Sequence, residues 1–301
     1  MANTELMEGR PPEPVIGSSS GLLDWRYMRY RFARSPLSML GLAIIIFVLA
    51  MMALAPWISP YDPNKLDLLH RLAPPSAAHW FGTDQVGRDI LSRIIWGSRT
   101  SVTVGFGIVA ISMISGTAIG AFSGLAGGGI DTAIMRVMDV LLSFPAFVMA
   151  MALAAALGPD LTNAMLAIAV VRIPFYVRLA RGQALSLRER PYVKAAETFG
   201  ASRIHIVIRH IIPNAMAPII VQSTLDIGVA ILTASALSFI GLGAQEPTAE
   251  WGAMVASGRD FLLDQWWHPT FPGLAILVTA VGFNLLGDGL RDIFDPRLRG
   301  K

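Results

Sequence analysis

The side chains of this 301-residue chain that could do chemistry are few, and their spacing excludes most reactions. There is no cysteine, hence no thiolate nucleophile, disulfide or thiolate metal site. Only three lysines occur, Lys65, Lys194 and Lys301, and none stands in a Gly-Lys-Ser/Thr phosphate loop, so any ATP hydrolysis must take place on another chain. Among five histidines, His205 and His210 lie five apart on a predicted helix, where they do not share a face. His70, His79 and His268 have no ligand spacing, so no metal site is expected. Asp84–Arg88 and Asp89–Arg93 are acid-before-base pairs four apart, an order that satisfies the charges mutually rather than leaving one free for proton transfer. Two charges remain, Arg172 and Asp226, each inside an apolar tract. A lone charge at a bilayer centre costs about 2.5–3.5 kcal/mol and normally faces protein or water. They are expected to face the interior, either as an ion pair or as ligands for the two ends of a zwitterionic solute. The alternative is that Arg172 reaches the cytoplasmic interface beside Arg178.

The elements that would position these groups are membrane spans. Charged residues make up 15% of the chain and mean hydropathy is +0.55, against about 25% charged in soluble domains. No charge occurs over 35–61, 100–130, 140–159 or 227–245. A helix needs roughly 20 apolar residues to cross a bilayer, whereas barrel strands would alternate over about 10. An all-α polytopic membrane protein follows, with six spans near 37–57, 100–122, 134–157, 161–181, 212–240 and 271–290. The first tract is too long for a secretion-signal core and is followed by Pro56 where cleavage would fall, so it is read as an uncleaved span. Six spans put both termini on one side, together with Arg26–Arg34, the basic 182–211 loop and the tail; the positive-inside rule makes that side cytoplasmic. Residues 1–35 form a cytoplasmic lead rich in proline and serine near its start, 36–99 the first span and an outer segment, and 100–301 the remaining core. The net charge of +3 gives no sign of nucleic-acid binding.

The most basic break in the second half is "YVKAAETFGASRIHIVIRHIIPN", residues 192–214. Pro191 suits a first helical position, Gly200 a left-handed helix end, and Ser202 the cap of a second helix. Ile204, Val207, Ile208 and Ile211 then fall on one predicted face, with Arg203, His205, Arg209 and His210 on the other. By composition this second helix could equally lie on anionic lipid.

The residue order is more specific. Ala195 and Ala196, three residues, Gly200, and Pro213 thirteen positions later resemble the cytoplasmic signature of ABC importer permeases, with Lys194 where an acidic residue is common. "HWFGTDQVGRDILSRIIWGSRTS" (79–101), "LSFIGLGAQEPTAEWGAM" (237–254) and "FPGLAILVTAVGFNLLGDGLRDIFDPRLRG" (271–300) are similar to the C-type subunits of the dipeptide/oligopeptide/nickel subfamily. The resemblance implies a six-helix type I importer (MetI-like) permease fold in a bacterial inner membrane. It implies a coupling helix at about 191–212 whose Tyr192, Ala195, Ala196, Gly200, Ala201 and Ser202 dock an ATPase subunit. Its implied partners are a second, B-type permease, two ABC ATPases that bind ATP and magnesium, an extracytoplasmic substrate-binding protein, and the lipid bilayer. The transported solute would be a peptide, nickel, glutathione or another small molecule.

Other features carry structural expectations. Gly82-Thr83-Asp84 reads as a turn before a capped interfacial helix leading into the second span. Gly116, Gly120 and Gly124 line one face of that span and permit close packing, either within this chain or against a partner permease. Trp251, Trp266 and Trp267 are expected in an outer aromatic belt, with a docked binding protein as the alternative. An ion-driven transporter would show inverted repeats, and none is visible. An intramembrane enzyme would need a buried nucleophile and base, yet no histidine lies deep in a span.

Overall fold

A computed structural model describes residues 35–294; the predicted cytoplasmic lead and the basic tail beyond 294 lie outside them. The described residues are helical and contain no β-strand. Five helices are long and apolar enough to cross a membrane: α1 (Pro36–Ile58), α2 (Ile90–Ala126), α5 (Leu161–Leu187), the run Arg203–Phe239, and α10 (Trp267–Phe294), which qualifies over Trp267–Ile293. The helices α3 (Gly128–Leu142) and α4 (Ala146–Leu157), joined at 89°, are apolar enough together to make up a sixth crossing if the bent pair is counted as one span. The sequence suggests one continuous span over 134–157; Pro145, which offers no N–H to the preceding turn, breaks it instead.

The core is built on α2 and α5, joined along a glycine seam. A β-carbon on Gly116 would meet the Tyr176 side chain at 2.5 Å, and one on Gly124 the Ala184 side chain at 2.8 Å. The helices thus pack almost backbone to backbone, gaining dispersion contact that larger side chains would prevent. Of the two packing partners expected for this glycine face, α5 of the same chain occupies it.

Helix α2 begins earlier than expected and runs without interruption for 37 residues. No separate interfacial helix precedes it: residues 82–89 form a turn with Gly82 and Gly87 at positive φ, and the helix starts at Ile90. Asp89 caps it, accepting from the Ser92 N–H at 2.7 Å and the Ser92 hydroxyl at 2.6 Å. The run Arg203–Phe239 consists of a short α7 (Arg203–Ile206), a π-helical turn (Val207–Ile211) and α8 (Ile212–Phe239). After α8, α9 (Trp251–Gly258) is capped by Glu250 and packs against α10.

Candidate functional site

The 191–211 segment forms from a helix end that glycine permits. Helix α6 (Pro191–Thr198) has Pro191 at its first position. It closes in a Schellman arrangement: the Ala201 N–H donates to the Ala196 carbonyl at 3.0 Å and the Gly200 N–H to the Glu197 carbonyl at 2.9 Å. Gly200 takes φ +80°, the left-handed geometry this closure requires. Ser202 then caps α7, accepting from the His205 N–H at 3.3 Å.

This closure divides the sequence-predicted residues into two groups. Ala196 and Ala201 turn inward, against a small core of Ala121, Ala184, Val193, Ile206, Val207 and Ile211 that seats the segment on the ends of α2 and α5. Tyr192, Ala195, Gly200 and Ser202 face out. Phe199, which the sequence argument passed over, is 89% exposed and is the most prominent apolar group on the surface of the segment. Its signal was its place immediately before the closing glycine.

The π-helical turn overturns two expectations. With a wider turn, residues five apart come onto one side, so the His205 and His210 rings stand 6.0 Å apart, and His210 is 6.1 Å from the Tyr192 ring. The buried set becomes Ile206, Val207 and Ile211, while Ile204 and Ile208 point outward instead of sharing the Val207 face. Lys194, at the position where an acid is common, bonds Glu189 at 3.1 Å. That hydrogen bond, aided by Arg188, holds the Glu189 carboxyl below its ordinary pKa.

Midway through the spans, α5 and α8 meet through Arg172 and Asp226. Arg172 Nε donates to Asp226 Oδ2 at 2.8 Å, and Arg172 Nη2 contacts Oδ1. Tyr176, one turn further along α5, donates its hydroxyl to the same Oδ2 at 3.0 Å. Asp226 is 1% exposed and Arg172 23%. A carboxylate so deeply buried is tolerable only with a partner and further hydrogen bonds, and both are supplied. Tyr176 is held in place by its packing against Gly116 of the seam. Tyr176 was not singled out in the sequence; its four-residue spacing from Arg172 was the available clue.

A second charge cluster joins the segment before α2 to the loop after α8. Arg88 donates through Nε to Asp84 at 2.6 Å and through Nη2 to Glu246 at 3.1 Å, clasping the 241–250 loop onto the turn before α2. Burial works against the Arg88 charge, but hydrogen bonds and attraction to Glu246 and Asp84 outweigh it and raise its pKa. The Asp84–Arg88 pair thus forms, on a turn rather than a helix. The expected Asp89–Arg93 pair does not: Asp89 accepts from His79 Nδ1 at 2.9 Å, while Arg93 Nη1 donates to the carbonyls of Pro63 and Pro247. Trp251 and Trp267 are buried in the core rather than belted at the membrane surface, because Trp251 Nε1 donates to the Ile94 carbonyl and Trp267 covers Gly82; Trp266 alone of the three is exposed. Among the described residues no group of three or more histidine and carboxylate side chains is gathered as a metal site would require.

Comparison with known proteins agrees with this arrangement. The family described as "Binding-protein-dependent transport system inner membrane component" matches residues 116–300, and the "N-terminal TM domain of oligopeptide transport permease C" matches residues 24–75. The chain is 61% identical over 267 residues, 89% of its length and 90% of the relative's, to the probable D,D-dipeptide transport system permease protein DdpC of Escherichia coli. It is 43% identical over 289 residues to the dipeptide transport system permease protein DppC of Alkalihalophilus pseudofirmus, covering 96% and 94% of the two chains. It is 41% identical over 290 residues to the glutathione transport system permease protein GsiD of Pectobacterium atrosepticum, covering 95% of each chain. With helices for up to six crossings, a glycine-closed segment at 191–211 and family matches over most of its length, the chain belongs to the inner membrane components of binding-protein-dependent transport systems and is a multi-pass permease.

Proposed function

We propose that this chain is the C-type permease of an ATP-driven importer of short peptides in a bacterial inner membrane, with both termini in the cytoplasm. The observation that carries the reading is the 191–211 segment, a Schellman-closed helix pair that presents Tyr192, Ala195, Phe199 and Ile204 outward from a seat on α2 and α5. Such a surface suits docking into another protein, and its continuity with α5 and α8 lets a push on it reach mid-membrane. The outer clasp of Arg88, Asp84 and Glu246 lies at the other end of the same helices, where a substrate-binding protein would deliver its solute.

In this reading the chain makes and breaks no covalent bond. Two ATPase subunits bind ATP and magnesium, and their closure moves the 191–211 segment of this chain and its counterpart in a B-type permease. That motion reverses which side of the shared cavity is open. Short peptides are favoured because relatives named for D,D-dipeptide and dipeptide transport match nearly the whole chain at 61% and 43% identity. A glutathione permease, itself named for a tripeptide-like solute, matches at 41%.

The test is reconstitution of the four kinds of subunit in vesicles. ATP-dependent accumulation of a labelled dipeptide, lost when the binding protein is omitted, is the expected result. Uptake driven by a proton or sodium gradient without ATP would end the reading.

A further inference from the structure

The Arg172–Asp226 pair is lopsided. Asp226 is 1% exposed and accepts from both Arg172 and Tyr176, whereas Arg172 remains 23% exposed. A guanidinium has two parallel forks for a carboxylate, one through Nε and Nη2 and one through Nη1 and Nη2. Asp226 occupies the first. Nη1 of Arg172 has no hydrogen-bond partner among the described residues.

The depth of this free fork limits what it faces. Arg172 lies 172 − 161 = 11 residues inside α5, and Asp226 lies 239 − 226 = 13 residues inside α8, both counted from the outer ends. At about 1.5 Å per residue they stand roughly 16–20 Å from those ends, near the middle of a hydrocarbon core about 30 Å thick. A guanidinium pinned there by Asp226 cannot extend to the headgroups, so lipid tails are excluded as its neighbour. A half-open cation at this depth requires polar protein or water beside it, and no further group of the described residues bonds to Nη1.

We propose that the free Nη1–Nη2 fork of Arg172 binds the C-terminal carboxylate of a peptide as it crosses the middle of the membrane. The proposal rests on the peptide-import reading and deepens it by naming a pathway residue. Asp226 and Tyr176 fix the guanidinium plane, so the fork is preorganised and loses little rotamer freedom on binding. The carboxylate is the group that peptides share whatever their side chains. A fork aimed at it recognises the class without reading its sequence.

Two variants separate pathway binding from bracing. In vesicles containing the full transporter, binding protein and ATP, wild-type uptake of dialanine first tests the peptide reading itself: its absence would count against that reading and leave the variants to be judged with another carboxylate-bearing solute that the wild type carries. Arg172→Lys keeps a cation beside Asp226 but has no second fork. Its uptake per complex recovered by pull-down is expected to fall about tenfold, the size of one charge-assisted hydrogen-bond pair. Asp226→Asn weakens the brace and keeps the fork, and is expected to fall no more than about threefold. Equal losses, or a larger loss in Asp226→Asn, would overturn the proposal in favour of a brace. A measurement on the unaltered chain covers failure of either variant to assemble: electron cryomicroscopy of the vanadate-trapped transporter with dialanine should place the carboxylate within hydrogen-bond reach of Arg172. A carboxylate elsewhere, or Nη1 bonded to the second permease, would reject it.

Discussion

A β-carbon on Gly120 would stand 2.2 Å from the carbonyl oxygen of Val177. No side-chain rotation relieves a collision with backbone, so Gly120→Ala must part α2 from α5. The expected cost is about 1–3 kcal/mol, the usual range for overpacking, read as a lower unfolding temperature of the detergent-solubilised complex. Gly182, on α5 with open space around it, is the control: Gly182→Ala should be neutral or stabilise by up to about 1 kcal/mol.

Gly200 is constrained differently. Nothing lies within 4 Å of a β-carbon built there, but φ is +80°. The penalty of Gly200→Val is therefore backbone strain alone, about 1–2 kcal/mol or more for a β-branched residue. Inserted protein should remain, while uptake and substrate-stimulated ATPase activity fall together. Asn, which tolerates the left-handed region, should restore much of both. Normal coupling in the Val variant would remove the segment from the mechanism.

Ala195 and Ala196 are adjacent in sequence and opposite in environment. Ala195 is exposed, whereas Ala196 packs on the Val193 and Ile206 cluster. Ala195→Asp should thus lower recovery of ATPase subunits in a pull-down without changing thermal stability. Ala196→Asp should lower both, since its charge enters an apolar contact. Unchanged recovery with Ala195→Asp would favour a lipid-facing role for this helix.

Arg88 joins Asp84, 3% exposed, to Glu246, 47% exposed. Removing the arginine side chain leaves the buried Asp84 carboxylate with the Val86 and Arg88 backbone N–H groups and the more distant Arg93 guanidinium at 3.9 Å, a loss of about 1.5–3 kcal/mol for the missing charged hydrogen bond. Glu246→Gln should cost under about 1 kcal/mol. Limited proteolysis from the outside should then cut the 241–250 loop faster in Arg88→Gln than in wild type, with Glu246→Gln intermediate.

Most spans were legible because uncharged tracts of bilayer length have few other uses. The closing glycine and the cap at Ser202 were legible for a related reason: each satisfies a local backbone demand that the sequence states directly. What escaped depends on contacts between distant segments. Arg93 belongs with the carbonyls of Pro63 and Pro247, not with its neighbour Asp89, and nothing near residue 93 says so. The π turn displaced the Ile204–Ile211 face by inserting a five-residue step into a 3.6-residue pattern. Pro145 was visible, yet the uncharged run across it concealed a right-angled break. Composition sets how much chain is buried in lipid, and only partners in space set its direction.

The α2–α5 seam also has a history in time. Gly120 is synthesised well before Val177, and α3 and α4 are made between them. At about 5–20 residues per second, α2 waits several seconds in the bilayer with its glycine groove unfilled. Where α2 has already entered the bilayer, acyl chains line that groove until α5 arrives, and the final closure then expels lipid rather than water and gains little from the hydrophobic effect. The order in which the helices leave the ribosome therefore leaves one wall of the protein's core waiting for the other.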